Sequence, residues 1–419
     1  MRKIVWCVVL VLLSYSLGTE SAEAPSAGSF PPKSIQKQVR PLLKAIREAQ
    51  RTKDEQEVSR LSKRVIQALG NWAANPDTKP IYYNLIDESK PKSSELTELW
   101  ARIEKKLKKR ALWIKVPDGD PDKMKTNLRQ AARPVIAITN LYQPNLNSSD
   151  ENLQFTLDGA NYLLKLQRKN GLFPAPDLRD KDPYYASYNK RALNKNRNAI
   201  VNGWFVDDYR GELQFDNAVS GIAMLRAYLL TKDNKYLISA RKSADWARQK
   251  NLDTNWTYNA FSVWFLSEFY KVTGENEYLQ SAIEKVKLGV LPGQLPNGRW
   301  FDPVTSKLVY HAATVRGIIS LYSQIEESEL KDKLKHSIVM AVDNAAKQIN
   351  THGASSTTTS TEMLINAIEE VGYKASWDAA LAININASLR YLNDKQAPWI
   401  GVFLSNYIVY QKSRQTNGK

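Results

Sequence analysis

The sequence is poor in the residues that build disulfide frameworks and metal clusters. Its 419 residues include a single cysteine, Cys7, and three histidines. One cysteine cannot form an internal disulfide or a cysteine-based zinc or iron–sulfur site. We therefore expect neither a metal nor a cofactor. Beyond the first residues, no apolar run approaches the ~18 residues of a membrane-spanning helix, which excludes a polytopic membrane protein.

Strand patterns are also scarce. No Asn-Gly turn joins two segments of alternating polarity, as a hairpin would require. Apolar residues recur instead at steps of three and four, as in Ile35–Leu69, and this spacing is typical of amphipathic helices. Hydrophobic residues at 43% and charged residues at 24% are ordinary globular values. The sequence therefore predicts an all-α globular protein.

The N-terminus has the layout of a secretory signal peptide. Arg2 and Lys3 precede the apolar run Ile4–Leu13, and small residues follow it. We interpret residues 1–22 as the signal and the Pro/Ser-rich residues 23–33 as a linker, with an uncleaved membrane anchor as the alternative. The mature protein would then be exported, to the periplasm or the extracellular space, with no membrane span left after cleavage.

Positive charge dominates the chain, with 59 Lys and Arg against 43 Asp and Glu and a formal net charge of +16. Such a surface attracts polyanions. No zinc-finger, RNP-type or basic-zipper pattern is present, so we expect no nucleic-acid partner. An acidic polysaccharide fits an exported protein better. The densest basic run, Lys105–Arg110, is interpreted as a solvated helix face rather than a binding patch.

An internal repeat is the strongest architectural signal. Four apolar helices open alike, with Phe215–Ala218, Tyr258–Phe261, Tyr310–Ala313 and Ser360–Met363. The marker residues Asn217, Asn259, His311 and Thr361 are 42, 52 and 50 positions apart. This spacing suits one helical hairpin per repeat. We assign residues 122–412 to the repeat domain, residues 34–121 to an N-terminal helical region and residues 413–419 to a polar tail.

Two loops share a second pattern, glutamine, three residues, glycine, one residue and an aromatic. They are Gln167–Phe173 and Gln294–Trp300. Glycine permits a tight turn that a side chain would block. We favour a structural role in which the aromatic packs the end of a hairpin, with ligand contact as the alternative.

With these repeats and loops, the chain resembles the α/α-toroid proteins, which include six-hairpin glycosidases, toroid polysaccharide lyases and terpenoid cyclases. The resemblance covers about residues 122–412. It implies a barrel of inner and outer helices with an N-terminal helical extension, and a site at the mouth where the inner helices begin. The chain lacks the Asp-rich motifs of the terpenoid branch, which we therefore disfavour.

The first candidate constellation is a carboxylate cluster beside aromatic residues. It contains the possible catalytic residues Asp207, Asp208 and Asp216 and the possible substrate-binding residues Trp204 and Tyr209. Glycoside hydrolysis needs two carboxyl groups, one protonated and one ionised. The alternatives are that Asp216 serves only as a helix N-cap and that Asp207 is a solvated loop residue.

The second constellation supplies the residue types that toroid lyases use on uronate polymers. It comprises Asn217, Tyr258, Asn259, Trp300, Asp302, Tyr310 and Arg316 as substrate-binding candidates and His311 as a catalytic candidate. In elimination, Arg or Asn neutralises the substrate carboxylate while His or Tyr removes the proton. A lone histidine is also a common structural residue.

Taken together, these patterns predict an exported carbohydrate-active protein that acts on an acidic polysaccharide or oligosaccharide. We favour hydrolysis because the Asp cluster is the denser local signal. A polysaccharide lyase and a non-catalytic glycan-binding or scaffold protein remain alternatives. The sugar, the linkage and the oligomeric state are not predicted.

Overall fold

The computed structural model describes residues 32–70, 85–119, 128–142, 146, 149–173, 212–301, 308–354, 359–391 and 397–417. Helices account for 81% of these residues. No β-sheet forms among them, and Gln294 and Trp300 make one isolated antiparallel bridge. The all-α prediction is confirmed.

Fifteen α-helices follow one another in the described part of the chain. In order they are α1 Lys33–Arg51, α2 Glu55–Leu69, α3 Ser93–Arg110, α4 Leu112–Lys115, α5 Arg129–Tyr142, α6 Asp150–Leu166, α7 Glu212–Thr231, α8 Asn234–Gln249, α9 Trp256–Thr273, α10 Asn276–Gly289, α11 Leu308–Tyr322, α12 Glu329–His352, α13 Thr359–Glu370, α14 Ala375–Tyr391 and α15 Ala397–Asn417. A short 3-10 turn, Leu291–Gly293, follows α10.

Six of these helices form a closed inner ring. Each of α5, α7, α9, α11, α13 and α15 packs against the next, and α15 packs back against α5. The outer helices α6, α8, α10, α12 and α14 alternate with them along the chain, and each packs against the inner helix before it. This is the α/α toroid that the sequence predicts, and the four repeat openings lie in α7, α9, α11 and α13.

The inner and outer helices differ in the distribution of their hydrophobic residues. The inner helix α9 is apolar on all sides, and Trp256, Phe265 and Phe269 are fully buried. The outer helix α8 buries one face, which includes Tyr236 and Ala240, and exposes the other. An all-round apolar helix is stable only inside a protein, whereas an amphipathic helix covers its surface. The sequence alternation therefore produces the two-layered ring.

The N-terminal region packs onto this ring. The α1–α2 hairpin contacts α10, where Gln50 Nε2 donates to the carbonyl oxygen of Leu288 at 3.0 Å. Helix α3 packs against the inner helix α15 and the outer helix α14. Leu107, which lies within the basic run of α3, is buried. At the other end, helix α15 continues through the predicted polar tail as far as Asn417. The domain boundary at residue 122 stays a prediction.

The two glutamine-glycine loops join neighbouring hairpins. Gln167 Nε2 donates to the carbonyls of Gly171 and of Ser239 in α8, each at 2.9 Å. Gln294 Nε2 repeats the pattern with Gly298 at 3.2 Å and Ser337 of α12 at 3.0 Å. Each loop therefore closes on itself and docks on the outer helix of the next hairpin, which is the structural role favoured from the sequence.

Glycine is required at the turn of these loops. Gly298 has φ +83°, and a Cβ placed there would overlap the carbonyl oxygen of Met340 in α12. Both the left-handed conformation and the close approach of the two backbones disfavour any side chain. The same applies to Gly171, with φ +88°, against Lys242 of α8.

We expect Gly298→Ala to lower the free energy of unfolding by about 2–3 kcal/mol, because the methyl group adds a backbone clash to a left-handed strain. Gly274→Ala is the matched control, since Gly274 has φ +72° with no neighbouring atom within 4 Å and should cost only about 1 kcal/mol. Thermal unfolding of both variants measures the difference. Equal shifts would show that docking onto α12 contributes nothing.

Candidate functional site

A cavity of about 540 Å³ occupies the centre of the ring. All six inner helices line it. A concave site of this size that combines apolar walls with polar groups is typical of small-molecule recognition. The half of the cavity near the helix N-termini carries buried charge and forms the candidate site.

Two buried ion pairs connect neighbouring inner helices in this half. Arg129 Nε of α5 lies 3.0 Å from Asp216 Oδ1 of α7, whose side chain is 1% exposed. Arg316 Nη1 of α11 lies 2.9 Å from Glu362 Oε2 of α13, with 7% and 10% of the side chains exposed. Each ion pair therefore holds a carboxyl group in place between two neighbouring inner helices.

Aromatic rings support the arginines. Phe215 and Phe261 stack with centroids 3.9 Å apart. The guanidinium of Arg129 lies 4.2 Å from the centroid of Phe215, and that of Arg316 lies 3.6 Å from the centroid of Trp264. Cation–π contacts of this kind hold a guanidinium flat against a ring. The site therefore combines oriented positive charge with flat apolar walls.

Arg133 of α5 adds a third positive charge, and its side chain is buried at 4% exposure. Burial, followed by the repulsion of Arg129 and Arg316, lowers the pKa of Arg133 well below its ordinary value, and Asp216 opposes the shift. Arginine nevertheless keeps its proton in proteins. The positive charges of Arg129 and Arg316, which contribute to this shift, would stabilise an anion that enters this half of the cavity.

This arrangement is suited to a ligand that has both a ring and an acidic group. Three arginines stand against two carboxylates among the described charged residues at this end. Guanidinium groups bind carboxylates with directed hydrogen bonds, and sugar rings pack on flat aromatic faces. Of these two carboxylates, Glu362 is the one that lines the cavity itself.

Three of the sequence-predicted site residues connect inner helices to outer helices instead of facing the cavity. Asn217 Nδ2 donates to Ser243 of α8 at 3.0 Å, and Asn259 Nδ2 donates to Gly289 of α10 at 2.7 Å. His311 Nε2 lies 2.9 Å from the carbonyl oxygen of Ala341 in α12. All three are buried at 2% exposure or less. These three repeat markers thus pin α7, α9 and α11 to their own outer helices.

The remaining described candidates divide between packing and the cavity. Tyr310 and Arg316 line the cavity. Trp300 is buried beside His311, and its Nε1 donates to Val290 at 2.8 Å. Tyr258 is buried at the start of α9.

Asp216 lies inside α7, which begins by Glu212, so the alternative in which it serves only as an N-cap is wrong. Its buried contact with Arg129 places it behind the ring of cavity-lining residues. The other members of the two constellations, Trp204, Asp207, Asp208, Tyr209 and Asp302, lie outside the described residues. Their predicted roles stay predictions.

The sequence interpretation missed five residues of this site, Arg133, Phe215, Phe261, Trp264 and Glu362. A signal existed for two of them. Arg133 stands within the apolar helix α5, and Glu362 stands within the apolar opening of α13. Charged residues are almost never fully buried unless they are paired, so a lone charge in such a helix indicates an interior site.

Within the described ranges, no group of three or more His, Cys, Asp or Glu side chains is placed to hold a metal ion. No described helix combines the length and the apolar character needed to cross a bilayer.

No protein-family model and no curated protein matches the chain. Solved structures do. A glycosyl hydrolase of family 88 from Bacteroides vulgatus aligns with a TM-score of 0.50 at 12% identity, over 76% of this chain and 100% of its own. A variant of the unsaturated glucuronyl hydrolase from Streptococcus agalactiae gives 0.49 at 12% identity, over 80% and 97%. A polysaccharide lyase gives 0.47 at 10% identity, over 77% and 99%. The first of these likenesses confirms the α/α-toroid fold.

The hydrogen bond and burial of His311 predict how stability depends on pH. Burial, and next the charge of Arg299, lowers the pKa of His311 well below its ordinary value, while the bond to Ala341 opposes the shift. The folded protein therefore keeps a neutral imidazole, whereas the unfolded chain binds a proton below about pH 6.5. We expect this group to remove about 1.4 kcal/mol of stability per pH unit below that value.

We expect His311→Asn to abolish that contribution, since Asn217 and Asn259 make the equivalent contact in the preceding repeats. Chemical unfolding at neutral and at mildly acidic pH measures it. His336→Asn is the control, because His336 is exposed on α12 and should leave the acid slope unchanged. An unaltered slope in the His311 variant would contradict the neutral buried imidazole.

Proposed function

We propose that the protein is a carbohydrate-active enzyme that hydrolyses an acidic oligosaccharide in the N-terminal half of the central cavity. The observation that supports this most is a cavity wall in which the buried Arg133, Arg316 and Glu362 stand beside Phe261 and Trp264. Such a wall offers a carboxylate to a reacting sugar, guanidiniums to an acidic substituent and flat faces to the ring.

Glu362 carries the ionised role in this proposal. Its carboxyl group lies 2.9 Å from Arg316 and is placed to act as a nucleophile, a general base or a stabiliser of an oxocarbenium-like transition state. Hydrolysis also needs a protonated carboxyl group. Asp207 and Asp208 are the candidates for that acid, and they precede α7 in the chain.

Elimination is the second candidate, and one observation favours it. Tyr310 and Arg316 line the same cavity, so a possible base and a possible neutraliser of the substrate carboxylate share one site. His311 contributes less to this alternative, because its Nε2 is engaged by Ala341.

The test is incubation of the purified protein with acidic oligosaccharides and with neutral ones of equal length. Reducing ends and the ultraviolet absorbance of an unsaturated uronate are followed together. We expect new reducing ends without new absorbance, and only with acidic substrates. Rising absorbance would instead demonstrate elimination. Binding with neither signal would leave a non-catalytic glycan-binding protein.

Glu362→Gln should lower kcat by about 10²–10⁴-fold with a small change in KM, because it removes charge from the reacting centre and keeps the side-chain volume. Glu268→Gln is the matched control. Glu268 lines the opposite end of the same cavity and accepts a hydrogen bond from Ser320 at 3.2 Å. Equal losses in both variants, or no loss in Glu362→Gln, would contradict the placement of the reaction.

We also propose export through the signal at residues 1–22. The intact mass of the protein recovered from an export-competent host should correspond to removal of about these residues. Recovery of the full-length mass in the membrane fraction would support the uncleaved anchor instead.

A further inference from the structure

A second concave surface lies outside the ring, where the N-terminal hairpin meets the outer helices. This groove has a volume of about 1190 Å³. Helix α1 and the start of α2 form one wall, and the end of α8 and helix α10 form the other. Seven basic side chains and four acidic ones line it. We call it the hairpin groove.

The acidic side chains of the hairpin groove already have partners. Glu48 pairs with Arg51, and Glu284 lies 2.6 Å from Lys53 Nζ. Glu57 pairs with Arg60 at 2.6 Å, and Asp54 caps α2 by accepting from the backbone N–H of Glu57 at 2.9 Å. The positive charge that these carboxylates do not neutralise therefore remains available to an outside anion.

Lys44, Arg47 and Lys285 carry that charge. None of the three has an acidic partner among the described residues within 4.0 Å. Lys285 is 4% exposed, and its Nζ donates one hydrogen to the carbonyl oxygen of Lys250 at 2.7 Å, which leaves two N–H donors. A buried ammonium without a carboxylate is costly and therefore uncommon in proteins.

Two further polar atoms of the groove walls have unmet hydrogen-bonding capacity. Arg47 Nη2 and Gln50 Oε1 are buried and have no hydrogen-bond partner in the described structure. Gln50 is 5% exposed. The hydrogen bond from Gln50 Nε2 to the carbonyl oxygen of Leu288 fixes the orientation of the amide. The unpaired atom is therefore Oε1, which is a hydrogen-bond acceptor.

From these observations we infer that the hairpin groove is a second binding site for an acidic glycan, separate from the central cavity. Lys285 and Arg47 would bind carboxylate or sulfate groups, and the acceptor of Gln50 would take a hydrogen bond from a sugar hydroxyl. Arg47 is half-buried on α1 and lines the groove.

The unpartnered acceptor is what favours a sugar chain over a simple anion. Sulfate and carboxylate groups only accept hydrogen bonds at neutral pH, so they satisfy Arg47 and Lys285 and leave Gln50 Oε1 unpaired. A glycan supplies hydroxyl donors as well as acidic groups. This inference shares its ligand class with the proposed function but depends on different residues.

Calorimetric titration of the full chain with a saturated oligogalacturonate tests it, in a Glu362→Gln background that prevents turnover. We expect two sites in this background. Arg47→Gln and Lys285→Met should each weaken one site by about tenfold, since each removes a charged donor. The controls are Arg40→Gln on α1 and Lys287→Met on α10, which carry the same changes outside the groove and should bind as the background protein does.

The pH dependence identifies Lys285. Burial, opposed by the charge of Glu284 and reinforced by Lys250, lowers the pKa of Lys285 to about 8. Its positive charge is present below that pH and is lost above it. The groove should therefore bind more weakly as the pH rises through about 8, and Lys285→Met, whose folding is checked by circular dichroism, should lack that change. Arg47→Gln, at a half-exposed position, keeps the test valid if Lys285→Met fails to fold.

One site of unchanged affinity in both groove variants would overturn the inference while leaving the proposed function intact. Two binding sites, with no cleavage of any substrate by the wild-type protein, would contradict the proposed function and leave the inference about the hairpin groove intact. Titration with inorganic sulfate should give weaker binding than the oligosaccharide. Equal affinity for sulfate, or stronger binding of a single-stranded oligonucleotide than of the glycan, would contradict a sugar-specific groove.

Discussion

The fold depends on the enclosure of its six inner helices, each surrounded by two inner neighbours and an outer layer. A polar group that points from such a helix into the outer layer is shielded from water and needs a partner within the protein. Three of the four repeat markers find one. Asn217, Asn259 and His311 each hydrogen-bond to the outer helix of the same hairpin. Gln167, which follows α6, and Gln294, which follows α10, then attach these outer helices to the outer helix of the next hairpin. Hydrogen bonds within each of these hairpins, together with hydrogen bonds from the loops to the next hairpin, stabilise the ring.

The buried charges are different, because the ring does not need them for stability. A buried ion pair is often no more stabilising than an apolar pair of the same volume, since both ions lose their hydration. The pair of Arg316 and Glu362 nevertheless occupies the cavity wall, where leucine or phenylalanine would fill space at lower cost. Arg133 adds a further buried cation to the same half. We infer that these charges are retained for what enters the cavity.

The architecture was predictable from the sequence because it is repeated. The openings at Phe215–Ala218, Tyr258–Phe261, Tyr310–Ala313 and Ser360–Met363 mark four of the six inner helices. Their function was harder to predict, since asparagine and histidine bind substrates and also satisfy buried backbone groups. A residue that recurs at the same place in successive repeats is under the same structural demand in each, which favours the backbone role. A catalytic residue is needed only once per ring.

The same reasoning explains where the candidate site differed from expectation. Arg133, Arg316 and Glu362 are far apart in sequence and do not occupy equivalent repeat positions, so no local pattern connects them. Ring closure connects them, because α11 lies beside α13 and α5 lies beside both α15 and α7. Once the ring order is known, an unrepeated charge in an apolar inner helix can be paired with another on the adjacent helix. In this fold, departures from the repeat are therefore more informative about function than the repeat itself.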